Sequence, residues 1–226
     1  ITGALVLLAG FSAIMSAITG VGGGVILLSG LILCVPVGAV VPIHGVVQFS
    51  AGASRIIAYR SFINWSVVRP FVLGMVPGAL LGCYGLSLLQ QLNPSWLLLA
   101  IASVILYTLL PTKPVPMPSA SSNSADILGL GLLGFSCGLL GMFVGSTGPL
   151  VSGSLLKRNI LKEAHIASKS VMQGSAHLMK IPLFAWGLNF DFGPYLWTLL
   201  AMVGMVIVGT VIGKWCLARI STQRFA

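Results

Sequence analysis

Acidic side chains are almost missing: Asp126, Glu163 and Asp191 are the only three among 226 residues, and charged residues of both signs make up 7% of the chain. So little charge excludes a soluble domain with an ordinary polar surface. Three acids placed in loops or at the ends of apolar stretches also fail to supply the His and carboxylate constellation that an intramembrane enzyme needs. Cysteine is scarce as well. Cys34, Cys83, Cys137 and Cys216 are scattered through apolar stretches without metal or redox spacing, so they are expected to be buried packing thiols, and no cofactor or metal is called for. No basic segment precedes the first apolar run, which begins almost at Ile1. A cleaved signal peptide is therefore unsupported, and residues preceding Ile1 are expected to be missing.

What is present is apolar. The chain is 57% hydrophobic with a mean hydropathy of +1.04, which makes lipid its expected solvent. A spanning helix needs about 20 mainly apolar residues, and such stretches fill 4–19, 24–43, 43–59, 66–89, 95–110, 127–145, 164–186 and 195–218. The 12 Lys and Arg give a net charge of +9. They cluster at the ends of these stretches, as topology signals do, and not in the patch that nucleic acid would require. Trp65, Trp96, Trp186, Trp197 and Trp215 fall near proposed span ends, where indoles favour the membrane interface.

The chain repeats itself. A shift of 124 lays Phe11-Ser12 on Phe135-Ser136 and Gly20 to Gly24 on Val144 to Gly148; a shift of 125 then lays Gln48 on Gln173, Ser50 on Ser175, Arg55 on Lys180 and Asn64 on Asn189. After small slips Gly78 and Gly82 answer to Gly204 and Gly209. Residues 1–110 form the first repeat, the Pro- and Ser-rich residues 111–125 a cytoplasmic linker, and 126–226 the second repeat. Short loops carrying Lys and Arg stay in the cytoplasm. This places 60–69, the linker, 157–162 and the chain end inside, and the loops at 34–42, 90–95 and 187–194 outside. The matched loops 60–69 and 187–194 therefore lie on opposite sides, so the halves are inverted.

Inversion requires an odd number of crossings per half. With three later stretches in the first half, residues 4–35 must enter and leave on one side, as a helical hairpin or a pair of half-helices. Residues 149–156 are likewise too short to span. The expected fold is an all-α polytopic membrane protein with two inverted-topology repeats, each a glycine-broken helical hairpin followed by about three transmembrane helices. The last helix of the second repeat, matching 95–110, is expected to lie beyond Ala226.

Two constellations suit an anion. Glycines at the middle of an apolar segment weaken a helix by roughly 1 kcal/mol each against Ala. Unwound backbone followed by a half-helix N-terminus would give them a purpose, since free N–H groups and the helix dipole attract negative charge. Gly22, Gly23 and Gly24 precede one such half-helix, and Ser146, Thr147 and Gly148 its mate. The competing explanation is that small residues only let helices pack closely. The second constellation sets His44, Gln48 and Arg55, and in the other half Lys169, Gln173 and Lys180, along single helix faces. Cations within a span are costly, and no acid lies nearby to neutralise them. Snorkelling to an interface is the alternative; otherwise Arg55 and Lys180 are expected to pair across the pseudo-twofold axis around an anion. His44 and His177 are the remaining groups able to titrate within a span, while His165 is expected to be solvated beside its loop. Lacking an intramembrane carboxylate, the chain should move an anion with the membrane potential and not through a dedicated proton relay.

The Gly20 to Gly24 run after Ala13 to Thr19, its mate Gly141 to Pro149, the segment Pro77 to Gly82, and Gly209 to Lys214 followed by Ser221 to Phe225 together resemble the TauE/SafE sulfite exporter family across nearly the whole chain. The second hairpin departs from the glycine-rich form, with Gly-Ser-Thr-Gly in place of Gly-Gly-Gly. The resemblance implies a carrier of sulfite or organosulfonates in the bacterial inner membrane, working outward, and the inverted repeat with broken helices favours alternating access. Its partners would be a small anionic substrate and the lipid bilayer, with no nucleic acid; a homo-oligomer is compatible with it. An anion channel, or an uptake carrier for another small anion, would use the same basic path.

Overall fold

The computed structural model describes residues 2–19, 22–89, 99, 102, 103, 106 and 124–219. These residues form helices joined by short connections, with no strand among them. The helices are α1 (Thr2–Thr19), α2 (Gly23–Cys34), α3 (Val37–Tyr59), α4 (Trp65–Leu89), α5 (Ser124–Val144), α6 (Gly148–Lys157), α7 (Lys162–Pro182) and α8 (Leu196–Leu217). Five segments among the described residues are long and apolar enough to cross a membrane: Thr2–Thr19, Val37–Phe62, Trp65–Leu88, Asp126–Val144 and Gly193–Leu217. Helix α7 is not among them, because Lys162, Glu163, Lys169 and Lys180 dilute its apolar content. Its polar face is instead buried against α3 and the second broken hairpin, while Met172 and Ala176 share an apolar cluster with α4. The outer surface carries large apolar side chains, with Leu33 at 86% exposure and Leu73 at 76%, as a lipid-facing surface must.

Both hairpins break where glycine takes a backbone conformation that other residues resist. Gly22 has φ +89° and Gly145 φ +81°. After these breaks come α2, 12 residues or about 18 Å, and α6, 10 residues or about 15 Å. Each reaches roughly half of a ~30 Å hydrocarbon core. The second hairpin is tied near its open end by Arg158, beyond the end of α6, which donates to both carboxylate oxygens of Asp126 in the first turn of α5.

Helix packing follows the repeat. The closest packed pairs are α4 with α5 and α1 with α8, the exchange expected when α1, α2, α3 and α4 correspond to α5, α6, α7 and α8; α3 and α7 pack on each other at the centre. Small residues make the outer pairs possible. A Cβ on Gly74 or Gly78 would overlap the carbonyl of Gly131 or Phe135, and one on Gly134 or Gly138 the carbonyl of Phe71 or Met75. Gly209 meets the Gly10 carbonyl, and Gly213 meets Ala17 and Ile14. We expect Gly78→Ala to lower the thermal midpoint of the purified protein sharply, whereas Gly129→Ala, where a Cβ meets nothing within 4 Å, should be neutral or stabilising. Equal midpoints would contradict this packing.

Several sequence expectations are corrected. The loop at 34–42 shrinks to residues 35 and 36, because α3 starts at Val37 and accommodates Pro42 within its first turns. Arg69 lies inside α4 and not in a loop. α4 begins at Trp65 and α8 at Leu196, after a long connection containing a π-turn (Leu183–Gly187) and a 3-10 turn (Gly193–Tyr195). Counted from the helix starts, Gly78 then corresponds to Gly209, which packs on α1 as Gly78 does on α5, and Gly82 to Gly213, while Gly204 faces open space. His165 is buried at 1% exposure, not solvated: α6 folds back over the first turns of α7, so that the ring contacts the Ser152 hydroxyl at 3.2 Å and the Ile160 carbonyl at 3.3 Å. The linker 111–123, the loop 90–95, Trp96 and most of 95–110 lie outside the described residues.

Candidate anion site between the broken hairpins

The two breaks face each other. A small polar cavity lies between them, lined from α1 by Ser16, from the first break and α2 by Gly22, Gly24 and Val25, and from α3 by Gln48. The opposite wall is Ser146, Gly148 and Pro149 from the second break and Lys169, Gln173 and His177 from α7. The local architecture matches across the repeat. A Cβ on Gly24 would stand 2.9 Å from Ser146 Oγ and 3.7 Å from His44 Nε2; one on Gly148 would stand 3.1 Å from Gln173 Nε2 and 3.6 Å from Lys169 Nζ. Glycine here lets the backbone reach a cluster of side-chain donors that any side chain would displace.

Chemically, the cavity is built for negative charge. The first N–H groups of α2 and α6 have no partner within their helices, and both helix N-termini carry partial positive charge. Lys169 adds an amine that is cationic when protonated, Gln48 and Gln173 supply amides, and Ser16 and Ser146 supply hydroxyls. The three acids are elsewhere: Asp126 is paired with Arg158, Glu163 with Lys162 at 3.3 Å, and Asp191 accepts from the Gly193 N–H at 2.8 Å.

Of the residues singled out from sequence, Gly22, Gly24, Gln48, Ser146, Gly148, Lys169 and Gln173 line the cavity, and Gly23, His44, Arg55, Thr147 and Lys180 are not part of its lining. Gly23 packs on the Ser12 carbonyl. His44 Nε2 donates to the Gly24 carbonyl at 2.9 Å, and Thr147 hydrogen-bonds Cys137. Arg55 and Lys180 occupy matched but separate places. Arg55 Nε donates to Ser170 Oγ at 3.1 Å, while Lys180 Nζ donates to the Gly145 carbonyl at 2.6 Å and lies 3.5 Å from His177 Nδ1.

Residues 5–226 match a family model described as "Sulfite exporter TauE/SafE". The chain belongs to the TauE/SafE sulfite exporter family. It is accordingly a multi-pass membrane protein of a transporter family, one that moves sulfite or a related anion. Neither the curated proteins nor the solved structures contain a match.

Two cavity residues of this TauE/SafE member were legible but passed over. His177 follows Lys169 and Gln173 at four-residue steps on α7, which puts all three on one stripe. Ser16 follows Ser12 at the same step on α1, although Ser12 bonds its own helix at Ala9. Lys180 closes the C-terminal end of α5, where a cation also complements the helix dipole. Lys180→Met should leave the buried Gly145 carbonyl short of a donor and destabilise the fold by about 1–3 kcal/mol. Denaturation in detergent measures it, and an unchanged midpoint would contradict this role.

Proposed function

We propose that the protein exports a small sulfur oxyanion, sulfite or an organosulfonate, from the bacterial cytoplasm across the inner membrane by alternating access, and that the anion binds between the two broken hairpins. The observation that carries this reading is the cavity itself: two half-helix N-termini, two glutamines and Lys169 converge in a lipid-embedded protein, with every acid held elsewhere. Gly22, Gly24, Gln48, Ser146, Gly148, Lys169 and Gln173 are the direct ligands in this reading. Gly23, His44, Thr147 and Lys180 hold the breaks in shape.

Alternating access is supported by the exchange of helix pairs between halves, α1 with α8 for α5 with α4. Two halves related in this way and inverted in the membrane can trade conformations, opening the same cavity first to one side and then to the other. The basic residues Arg60 and Arg69 near one connection, and the absence of Lys and Arg from residues 187–194, support the inversion.

The test is uptake of radiolabelled sulfite into proteoliposomes preloaded with unlabelled sulfite. Saturable uptake accelerated by the internal pool is expected of a carrier. Non-saturating flux that ignores the internal pool would instead identify a channel.

A further inference from the structure

We propose that Arg55 and Tyr59 form a second anion station, between the central cavity and the cytoplasmic ends of α3 and α7, where an oxyanion of the transported class rests before it reaches Lys169. The inference rests on the reading of the protein as an anion transporter and adds a site to it.

Arg55 is 6% exposed and its Nε is engaged by Ser170, yet Nη1 is buried without a hydrogen-bond partner. Tyr59 lies one turn further along the same face of α3, within electrostatic range of Arg55, and its hydroxyl is likewise buried and unpartnered. Thr210 Oγ1 shares this condition. It sits on α8 one turn before Lys214, whose Nζ donates to the Ala58 carbonyl at 3.2 Å and lies 5.5 Å from the centre of the Tyr59 ring. Buried polar groups are normally satisfied, and a buried guanidinium nitrogen with no partner is a strong demand for an acceptor.

The surrounding charge has the sign an anion needs. Arg55 is within electrostatic range of Lys169 on α7, and Lys214 approaches from α8; the acid facing Tyr59 is Glu163, already paired with Lys162. Two cations close enough to repel each other are held together more easily with an anion between or beside them. A guanidinium suits the task because its planar fork presents two parallel donors to an oxyanion.

The station is separate from the central cavity. Gln48 lines the cavity and Arg55 is seven residues later, about 10 Å along α3. Between them α3 and α7 touch: a Cβ on Gly52 would stand 3.4 Å from the Gly174 Cα and 3.5 Å from the Ser170 carbonyl oxygen. Beyond Tyr59 the chain reaches Arg60 and the connection that the basic residues assign to the cytoplasm, so the station is on the entry side for an exported anion.

Equilibrium dialysis of the purified protein in detergent against radiolabelled sulfite reads the number of anions bound per chain. The wild type should bind two. Arg55→Gln should bind one, with affinity within about threefold of the tighter wild-type site, and Arg55→Lys should recover part of the second. If wild type and Arg55→Gln both bind one, or both bind two, the station is overturned while the central site stands. Absence of binding in the wild type would overturn the proposed function as well. Should Arg55→Gln fail to fold, the wild-type count decides: one anion per chain overturns the station.

Discussion

Lys169→Gln is expected to weaken sulfite binding at the central cavity by roughly 30-fold or more. Lys169 is the cation on the cavity wall, 6% exposed, and stands next to Gly148 at the start of α6. Removing one member of a desolvated charge pair leaves the other buried without compensation, a loss of about 2–5 kcal/mol in measured complexes. At 1.4 kcal/mol per decade this is roughly 30-fold to several thousandfold. The two helix N-termini remain in the variant, and each is worth typically ~0.3–1 kcal/mol, so they cannot replace the cation. Binding measured by dialysis and half-saturation of transport should shift together. If Lys169→Gln leaves both within a few-fold of wild type, the anion is held elsewhere, and Arg55 becomes the first alternative.

Much of this arrangement was legible because it depends on strong local signals. Glycine runs inside apolar segments have few uses, and Gly22 and Gly145 do adopt the left-handed conformation that breaks a helix. Polar residues at helical spacing identified one face of α3 and one of α7, and those faces meet at the centre of the protein. The missed features depend on tertiary placement. A face of α7 carrying Lys169, Gln173, His177 and Lys180 does not say which residue turns to the cavity and which to a broken helix end; Lys180 finds the Gly145 carbonyl only because α5 stops there. His165 looked solvated because its sequence neighbours are charged, and only the return of α6 over α7 covers it. The offset between α4 and α8 was hidden by the long connection from Leu183 to Tyr195, which carries no strong pattern of its own. Gly78 and Gly82 align by eye with Gly204 and Gly209, yet it is Gly209 and Gly213 that touch α1.

The second large effect concerns energy. The cavity is lined by Lys169 and by no carboxylate, so no carboxylic acid there carries a proton with the anion and each turnover should move net negative charge. A cell interior at negative potential then favours exit by roughly 2.3 kcal/mol per charge for each 100 mV. A divalent oxyanion gains about twice that, which at 1.4 kcal/mol per decade sustains a gradient of more than about a thousandfold. The groups at the cavity able to take up a proton with the anion are His44 and His177, whose rings stand 5.4 Å apart, together with Lys169 on the wall and Lys180 beside His177. Protonation of that cluster on anion binding would reduce the charge moved. The deciding measurement is sulfite flux in proteoliposomes, with membrane potential and pH gradient imposed separately by ionophores at fixed sulfite concentrations. Flux that rises steeply with potential and changes little with the pH gradient is the predicted result; flux that follows the pH gradient and ignores the potential would contradict the account.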